Sequence, residues 1–212
     1  MPRSLFISLD GLDGTGKSTQ CRLLAEWLRK QGQEVVESTD PGGTSVGEAI
    51  REILLGQREG SRQGASMSLA CEALLFMASR AQLTAEVIRP ALEAGRTVVA
   101  DRYLLANVVY QGHAGGLDPD QLWEIGRRAT GGLVPDLTFV LDLSAEVALS
   151  RRTGPADRVE SRDLAYHTRV REGFLAEAHR HPDIIQVVDA APPIQKVHER
   201  IRHVLANRIY LK

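Results

Sequence analysis

Short apolar runs alternate along the chain with longer stretches in which apolar residues recur at helical spacing. Leu5 to Leu9, Glu34 to Ser38, Thr97 to Ala100, Leu137 to Leu141 and Ile184 to Val188 read as five strands. Lys17 to Lys30 reads as a helix with Leu23, Leu24, Trp27 and Leu28 on one face, closed by Gly32. Further helical stretches fall near 45–55, 66–93, 119–130, 145–152, 163–180 and 193–209. The stretch 66–93 is long, carries Pro90 near its end and stops at Gly95. Segments 56–64 and 112–118 read as Gly-rich loops, and 153–158 as a break between two helices. Strands alternating with helices predict an α/β domain with a five-stranded, largely parallel sheet. No repeat, low-complexity tract or linker divides the sequence, so residues 1–212 are expected to form one domain.

Composition narrows the function. The 212 residues are 43% apolar and 25% charged, with a formal net charge of −1, as in ordinary globular proteins. Such a balance argues against a bulk electrostatic grip on nucleic acid or an anionic membrane, and leaves a local basic site open. Of the 26 basic residues, only Lys17, Lys30, Lys196 and Lys212 are lysines. Cys21 and Cys71 lie far apart with no CxxC spacing and no Cys/His cluster, which speaks against a structural zinc site or a disulfide framework. The apolar stretch after Met1 is too short for a secretory signal, and no apolar run reaches membrane-spanning length. A cytoplasmic protein is expected.

Chemistry enters at residues 11–18. Gly11, Leu12, Asp13, Gly14, Thr15, Gly16, Lys17 and Ser18 fit GxxxxGK[ST], followed by Thr19, between a predicted strand and a predicted helix. Glycines at these positions let consecutive backbone N–H groups turn inward around phosphates, and the helix N-terminus adds its positive dipole end. Lys17 supplies a point charge to the β- and γ-phosphates, and Ser18 a hydroxyl to Mg2+. A Gly-rich turn that binds nothing is the bland alternative, but the strand and helix around the motif favour a nucleoside triphosphate. The glycines do not make GxGxxG, which excludes a dinucleotide fingerprint.

The kind of nucleotide machine is narrower still. Neither Asn107 nor Asn207 is followed by Lys, so the guanine clamp of a GTPase switch is missing. The strand Thr97 to Ala100 ends in Asp101-Arg102-Tyr103, where a motor ATPase would place Asp-Glu. An acid and a guanidinium at a strand's C-terminal end, beside a phosphate loop, suggest a second anionic substrate. Asp101 can hold Mg2+ through water, and Arg102 can fork onto a phosphate. The competing reading is a surface ion pair closing the strand.

At these positions the sequence resembles the thymidylate kinase (dTMP kinase) family, bacterial type. The matching segments are Phe6 to Thr19, Asp40-Pro-Gly-Gly-Thr44, Leu75-Phe-Met-Ala-Ser-Arg80, Asp101-Arg-Tyr103, Tyr110-Gln-Gly112, Pro135 to Asp142, Asp157-Arg-Val-Glu160 and Val170 to Phe174. Their order and spacing cover nearly the whole chain. The resemblance implies a P-loop kinase fold with helices on both sheet faces and a short lid near 150–160. It implies transfer of the ATP γ-phosphate to dTMP, with Mg2+, by a homodimer that binds neither nucleic acid nor membrane. A kinase for another nucleotide or deoxynucleoside, or a non-catalytic nucleotide switch, remains the alternative at this stage.

The resemblance also implies roles. Phe76 and Arg80 share a helix face at i and i+4; Phe76 would stack on thymine and Arg80 donate to its O4. By burial habit alone they read as a core Phe and a surface Arg. Asp13 would bind the nucleotide's 3′-hydroxyl. Asn107 and Tyr110 would contact the base and crowd the sugar's 2′ carbon, with Asp40 and Gln111 completing the acceptor site. Arg151, Arg152 and Arg158 would bring transition-state charge from the lid; on sequence alone they equally suit a solvated basic helix end. Gly14 stands where other members carry an Arg. Three positions depart from the family pattern: Ala106 in place of Ser, Thr39-Asp40 in place of Arg-Glu, and a lid about two residues short.

Overall fold

The computed structural model describes residues 4–55, 67–152, 158–159 and 161–207. Strand β1 (Phe6–Gly11) is buried along its whole length, because both faces of the sheet are covered. The two-residue period of a strand divides its side chains. Leu5, Ile7 and Leu9 enter one core with Leu24 and Leu28 of α1 (Lys17–Lys30) and Val197 and Ile201 of α9 (Ile194–Leu205). Phe6 enters the other, with Met77, Val108, Val109, Trp123 and Phe174.

The sheet is five-stranded and all parallel, in the order β2-β3-β1-β4-β5. The remaining strands are β2 (Val35–Thr39), β3 (Thr97–Asp101), β4 (Leu137–Asp142) and β5 (Ile185–Asp189). Each matches the predicted strand within two residues. Crossovers lead from β1 toward β2 and β3 on one side and β4 and β5 on the other. Such a switch point opens a crevice at the strands' C-terminal ends, where Gly11 and Asp101 lie.

Helices α2 (Ser45–Leu55), α6 (Pro119–Ala129), α7 (Ala145–Ser150) and α8 (Leu164–Arg180) lie where expected, α7 ending two residues early. The long stretch expected over 66–93 is not one regular helix. It starts at Leu69, with the Ser68 hydroxyl accepting from the Cys71 N–H, and runs as α3 (Leu69–Leu83), a π-helical turn (Thr84–Ile88) and α4 (Arg89–Glu93). The wider turn accommodates Pro90, whose ring would otherwise press on the carbonyl four residues back.

A larger correction falls at 104–113, where no helix is expected and residues 112–118 read as a loop. The chain there forms α5 (Leu104–Asn107), continued by a π-helical turn (Val108–His113). Every residue from Leu104 to Gly112 is buried, so the segment has no polar face and no helical period to read. Helix α9 ends at Leu205 in place of 209, and residues 208–209 lie outside the described residues. So do the Gly-rich segment 56–64 and residues 153–157 and 160 of the expected break and lid.

Candidate active site

The phosphate loop takes the shape its glycines permit. Gly11, Gly14 and Gly16 have φ of 132°, 88° and 90°, a region closed to most side chains. Gly14 has no alternative: a Cβ there would stand 2.0 Å from the Ala148 carbonyl oxygen. Thr15 Oγ1 and Lys17 Nζ both donate to the Leu12 carbonyl at 2.8 Å, which folds the loop over the start of α1. The Ser18 hydroxyl donates to Asp101 Oδ2, joining the loop to the end of β3.

Arg102 is the non-glycine residue in the left-handed region among the described residues, with φ of 71°. Its strain is held by three contacts: to the Gly11 carbonyl at 3.0 Å, to Asp13 Oδ1 at 2.6 Å and to the Tyr110 hydroxyl at 3.3 Å. The guanidinium also lies 5.1 Å from the Tyr110 ring centroid. Burial raises the Asp13 carboxyl, but Arg102 and Lys17 outweigh it and hold the group well below the usual carboxylate range. Burial pushes the Tyr110 phenol up, so it remains a neutral hydroxyl.

A second buried pair lies across the cavity. Arg80 is only 1% exposed, where the burial habit of arginine alone would put it at the surface. Its Nε donates to Asp40 Oδ2 at 2.6 Å and its Nη1 to Asn107 Oδ1 at 3.0 Å. Asn107 Nδ2 donates to Gln111 Oε1 at 2.8 Å. Burial pushes the Asp40 carboxyl up, against the pull of Arg80. The phosphate loop, Arg102 and this pair, with Phe76, Tyr110 and Ala106, line one cavity of about 560 Å³.

The lid arginines separate. Arg151 and Arg152 line the same cavity, and Arg151 is tied to the Ala190 and Ala191 carbonyls at 3.1 and 3.3 Å. Arg158 does not point toward the phosphate loop: its Nε donates to the Leu54 carbonyl at 3.0 Å and its Nη1 pairs with Glu72 at 2.6 Å. The geometry thus sets Arg151 and Arg152, on the cavity wall, apart from Arg158, which is held against Glu72.

Three residues escaped sequence reasoning. Arg51 of α2 lines the cavity and donates to the Pro41 carbonyl at 2.7 Å, so the cationic contact missing at Thr39 has a neighbour that can supply it. Asp10, next to last in β1, is fully buried, and neither carboxylate oxygen has a hydrogen-bond partner. Burial drives its pKa to about 7, against Arg102 and Lys17. An acid inside an apolar strand was a visible signal. Glu72 precedes Phe76 by four and Arg80 by eight, a face periodicity that was also readable.

A phosphate loop opposite a built acceptor pocket, sharing one cavity at a parallel sheet's switch point, defines a phosphotransferase of the P-loop kinase class. The thymidylate kinase profile matches residues 9–201. Over 203 residues the chain is 47% identical to a thymidylate kinase of Symbiobacterium thermophilum, covering 95% of this chain and 92% of that one. A thymidylate kinase of Caldanaerobacter subterraneus is 41% identical, covering 99% and 98%. The crystal structure of thymidylate kinase from Ehrlichia chaffeensis superposes with a TM-score of 0.79 at 28% identity, covering 96% of this chain and all of that one. The chain belongs to the thymidylate kinase family.

Proposed function

We propose that this chain works as a single-domain kinase that transfers the γ-phosphate of ATP to dTMP, giving ADP and dTDP. One observation supports the acceptor half most directly. Arg80 is a buried guanidinium held between Asp40 and Asn107 on the cavity wall that also carries Phe76. In this reading Phe76 stacks on thymine, Arg80 donates to its O4, and Tyr110 stands against the 2′ carbon. Asp13 takes the 3′-hydroxyl.

A phosphate oxygen of dTMP forms the new bond to the γ-phosphorus, and the bond to the β–γ bridging oxygen breaks. The acceptor phosphate has a second pKa near ~6, so it is mostly dianionic at neutral pH and needs no strong base. The obstacle is bringing two polyanions together, which makes positioning and charge neutralisation the enzyme's task. Lys17 serves the β- and γ-phosphates, and Arg102 and Arg51 the acceptor phosphate. Arg151 and Arg152 approach from the lid side. Burial lowers the Lys17 ammonium's pKa, while the Asp13, Asp101 and Asp10 carboxylates counter this.

The residues present suit Mg2+. Ser18 and Asp101 are hard oxygen donors joined by one hydrogen bond, and Asp10 adds unpartnered oxygens within electrostatic reach of Asp101. No group of three His, Cys, Asp or Glu side chains arranged to hold a metal ion occurs among the described residues. A site with few protein ligands fits an ion that retains waters and takes phosphate oxygens. Ser18 would hold it directly and Asp101 through water; when bound, the ion neutralises phosphate charge.

Val46 and Ile53 of α2 and Leu74 of α3 are 48%, 42% and 56% exposed, and exposed apolar side chains on these two packed helices support homodimer formation. No helix among the described residues is long and apolar enough to cross a membrane. Both cysteines are free thiols, in keeping with action in the reducing cytoplasm. The test is turnover with ATP and Mg2+ across a panel of nucleoside monophosphates and nucleosides. Failure to phosphorylate dTMP would overturn the reading.

A further inference from the structure

Glu72 of α3 is 1% exposed and takes no part in the transfer described above. It is the point at which two walls of the acceptor pocket meet. On the nucleobase side, Gln111 Nε2 donates to its Oε1 at 2.6 Å. Through Gln111 the contacts continue to Asn107, Arg80 and Asp40. On the opposite side, Arg158 Nη1 lies 2.6 Å from Oε2, and Arg162 Nη2 donates to both oxygens at 3.1 and 3.3 Å.

These arginines are not isolated. Val159, next to Arg158, lines the cavity. The Arg162 guanidinium lies 4.4 Å from the Tyr166 ring centroid, and the Tyr166 hydroxyl donates to the Tyr110 carbonyl at 2.8 Å. Tyr110 in turn contacts Arg102 and Asp13. One buried carboxylate therefore connects, through unbroken polar and ring contacts, the group facing the base with the group facing the acceptor phosphate. The Arg158 and Arg162 side chains are 33% and 26% exposed, whereas Glu72 is fixed within a helix. The carboxylate is the anchor and the arginines are what it holds.

We propose that Glu72 is a positioning residue. It holds Gln111 on one wall and Arg158 and Arg162 on the other, and so fixes the acceptor's base and phosphate ends relative to each other for transfer. The proposal rests on reading the Arg80–Asn107 pocket as the acceptor site.

Glu72→Gln tests it, because the amide keeps a carbonyl oxygen for Gln111 but removes the charge that holds the arginines. The expected result is a kcat lowered roughly 10- to 100-fold, the scale of one lost charge-assisted contact, with KM for dTMP and ATP changed by less than about threefold. Arg162→Leu, at a part-exposed side chain, should reproduce the kcat loss. The double variant should be no worse than the more damaged single variant, since both break one connection. A folded Glu72→Gln with kcat within about twofold of wild type would overturn the proposal, as would losses that multiply in the double variant. If Glu72→Gln fails to fold, Arg162→Leu decides alone: a raised KM for dTMP at unchanged kcat counts against the proposal. Failure of the acceptor reading would appear separately, as wild-type protein that does not use dTMP. The kcat-against-KM comparison then proceeds with the monophosphate that the wild type does phosphorylate.

Discussion

Replacing Arg80 with Met leaves Asp40, 2% exposed, without the guanidinium that faces it at 2.6 Å. Its other oxygen already lacks a partner. Breaking a buried ion pair from one side costs about 3–5 kcal/mol. With an unfolding entropy of ~2.1 cal/mol/K per residue over this length, the melting temperature should fall by about 7–11 °C. The loss should also depend on pH. Burial pushes the Asp40 carboxyl above its ordinary value of 3.8 even while Arg80 opposes the shift. Without Arg80 the folded-state pKa rises further, so above 3.8 the folded variant binds a proton that its unfolded chain has released. The variant's stability, relative to wild type, then falls as pH rises, by at most ~1.4 kcal/mol per unit while Asp40 is protonated only in the folded state. The deficit should be larger at pH 8 than at pH 5. Adding Asp40→Asn removes the stranded charge and should recover most of the deficit and abolish its pH dependence. Urea unfolding without nucleotide at three pH values, for wild type and both variants, measures all of this. A deficit under about 1 kcal/mol at pH 8, or one that Asp40→Asn leaves intact, would refute the reasoning. Kinetically, both variants should raise KM for dTMP far more than KM for ATP.

Further outcomes follow from other sites. Gly14→Ala combines left-handed strain of about 1–2 kcal/mol with an overlap against the Ala148 carbonyl, whereas Gly16→Ala meets nothing within 4 Å and carries the strain alone. Thermal unfolding should therefore rank Gly14→Ala as clearly the worse, and equal losses would contradict the packing argument. Arg51→Ala should raise KM for dTMP roughly 10- to 100-fold while leaving KM for ATP nearly unchanged, as one lost charge-assisted contact would. An unaltered dTMP value would remove Arg51 from the acceptor phosphate. Asp10, raised by burial to about 7, contributes stability that is full below 3.8 and lost as pH rises to 7. Comparison of Asp10→Asn with wild type by urea unfolding should show an advantage for the variant that grows between pH 4 and 7; a constant difference would count against an orphaned carboxyl. Asp13 has the opposite sign: burial is outweighed by Arg102 and Lys17, so its contribution is present above 3.8 and lost as pH falls below that value. Arg102→Leu should make the protein less sensitive to acid in that range.

Much of the site lies in local sequence. The phosphate loop is legible because its glycines, Lys17 and Ser18 fall in eight consecutive residues, and backbone conformation there is dictated by residue type. Five strands and most helices are legible because a covered sheet and half-buried helices impose their own periods. The pairing of Phe76 with Arg80 follows from the helical repeat alone. The helix carrying Asn107, Tyr110 and Gln111 is not legible, since a segment buried on every side has no polar phase to reveal its period. Nor is the burial of Arg80, whose compensation comes from Asp40 and Asn107, 40 and 27 residues away. The same is true of the contact of Arg158 with Glu72, which lies 86 residues earlier in the chain. Local sequence determines where the chain turns, which stretches form helix or strand, and that a phosphate loop is present. The tertiary structure alone decides which charges are buried, because the elements that cover them, and the partners that compensate a group such as Arg80, come from parts of the chain far apart in sequence.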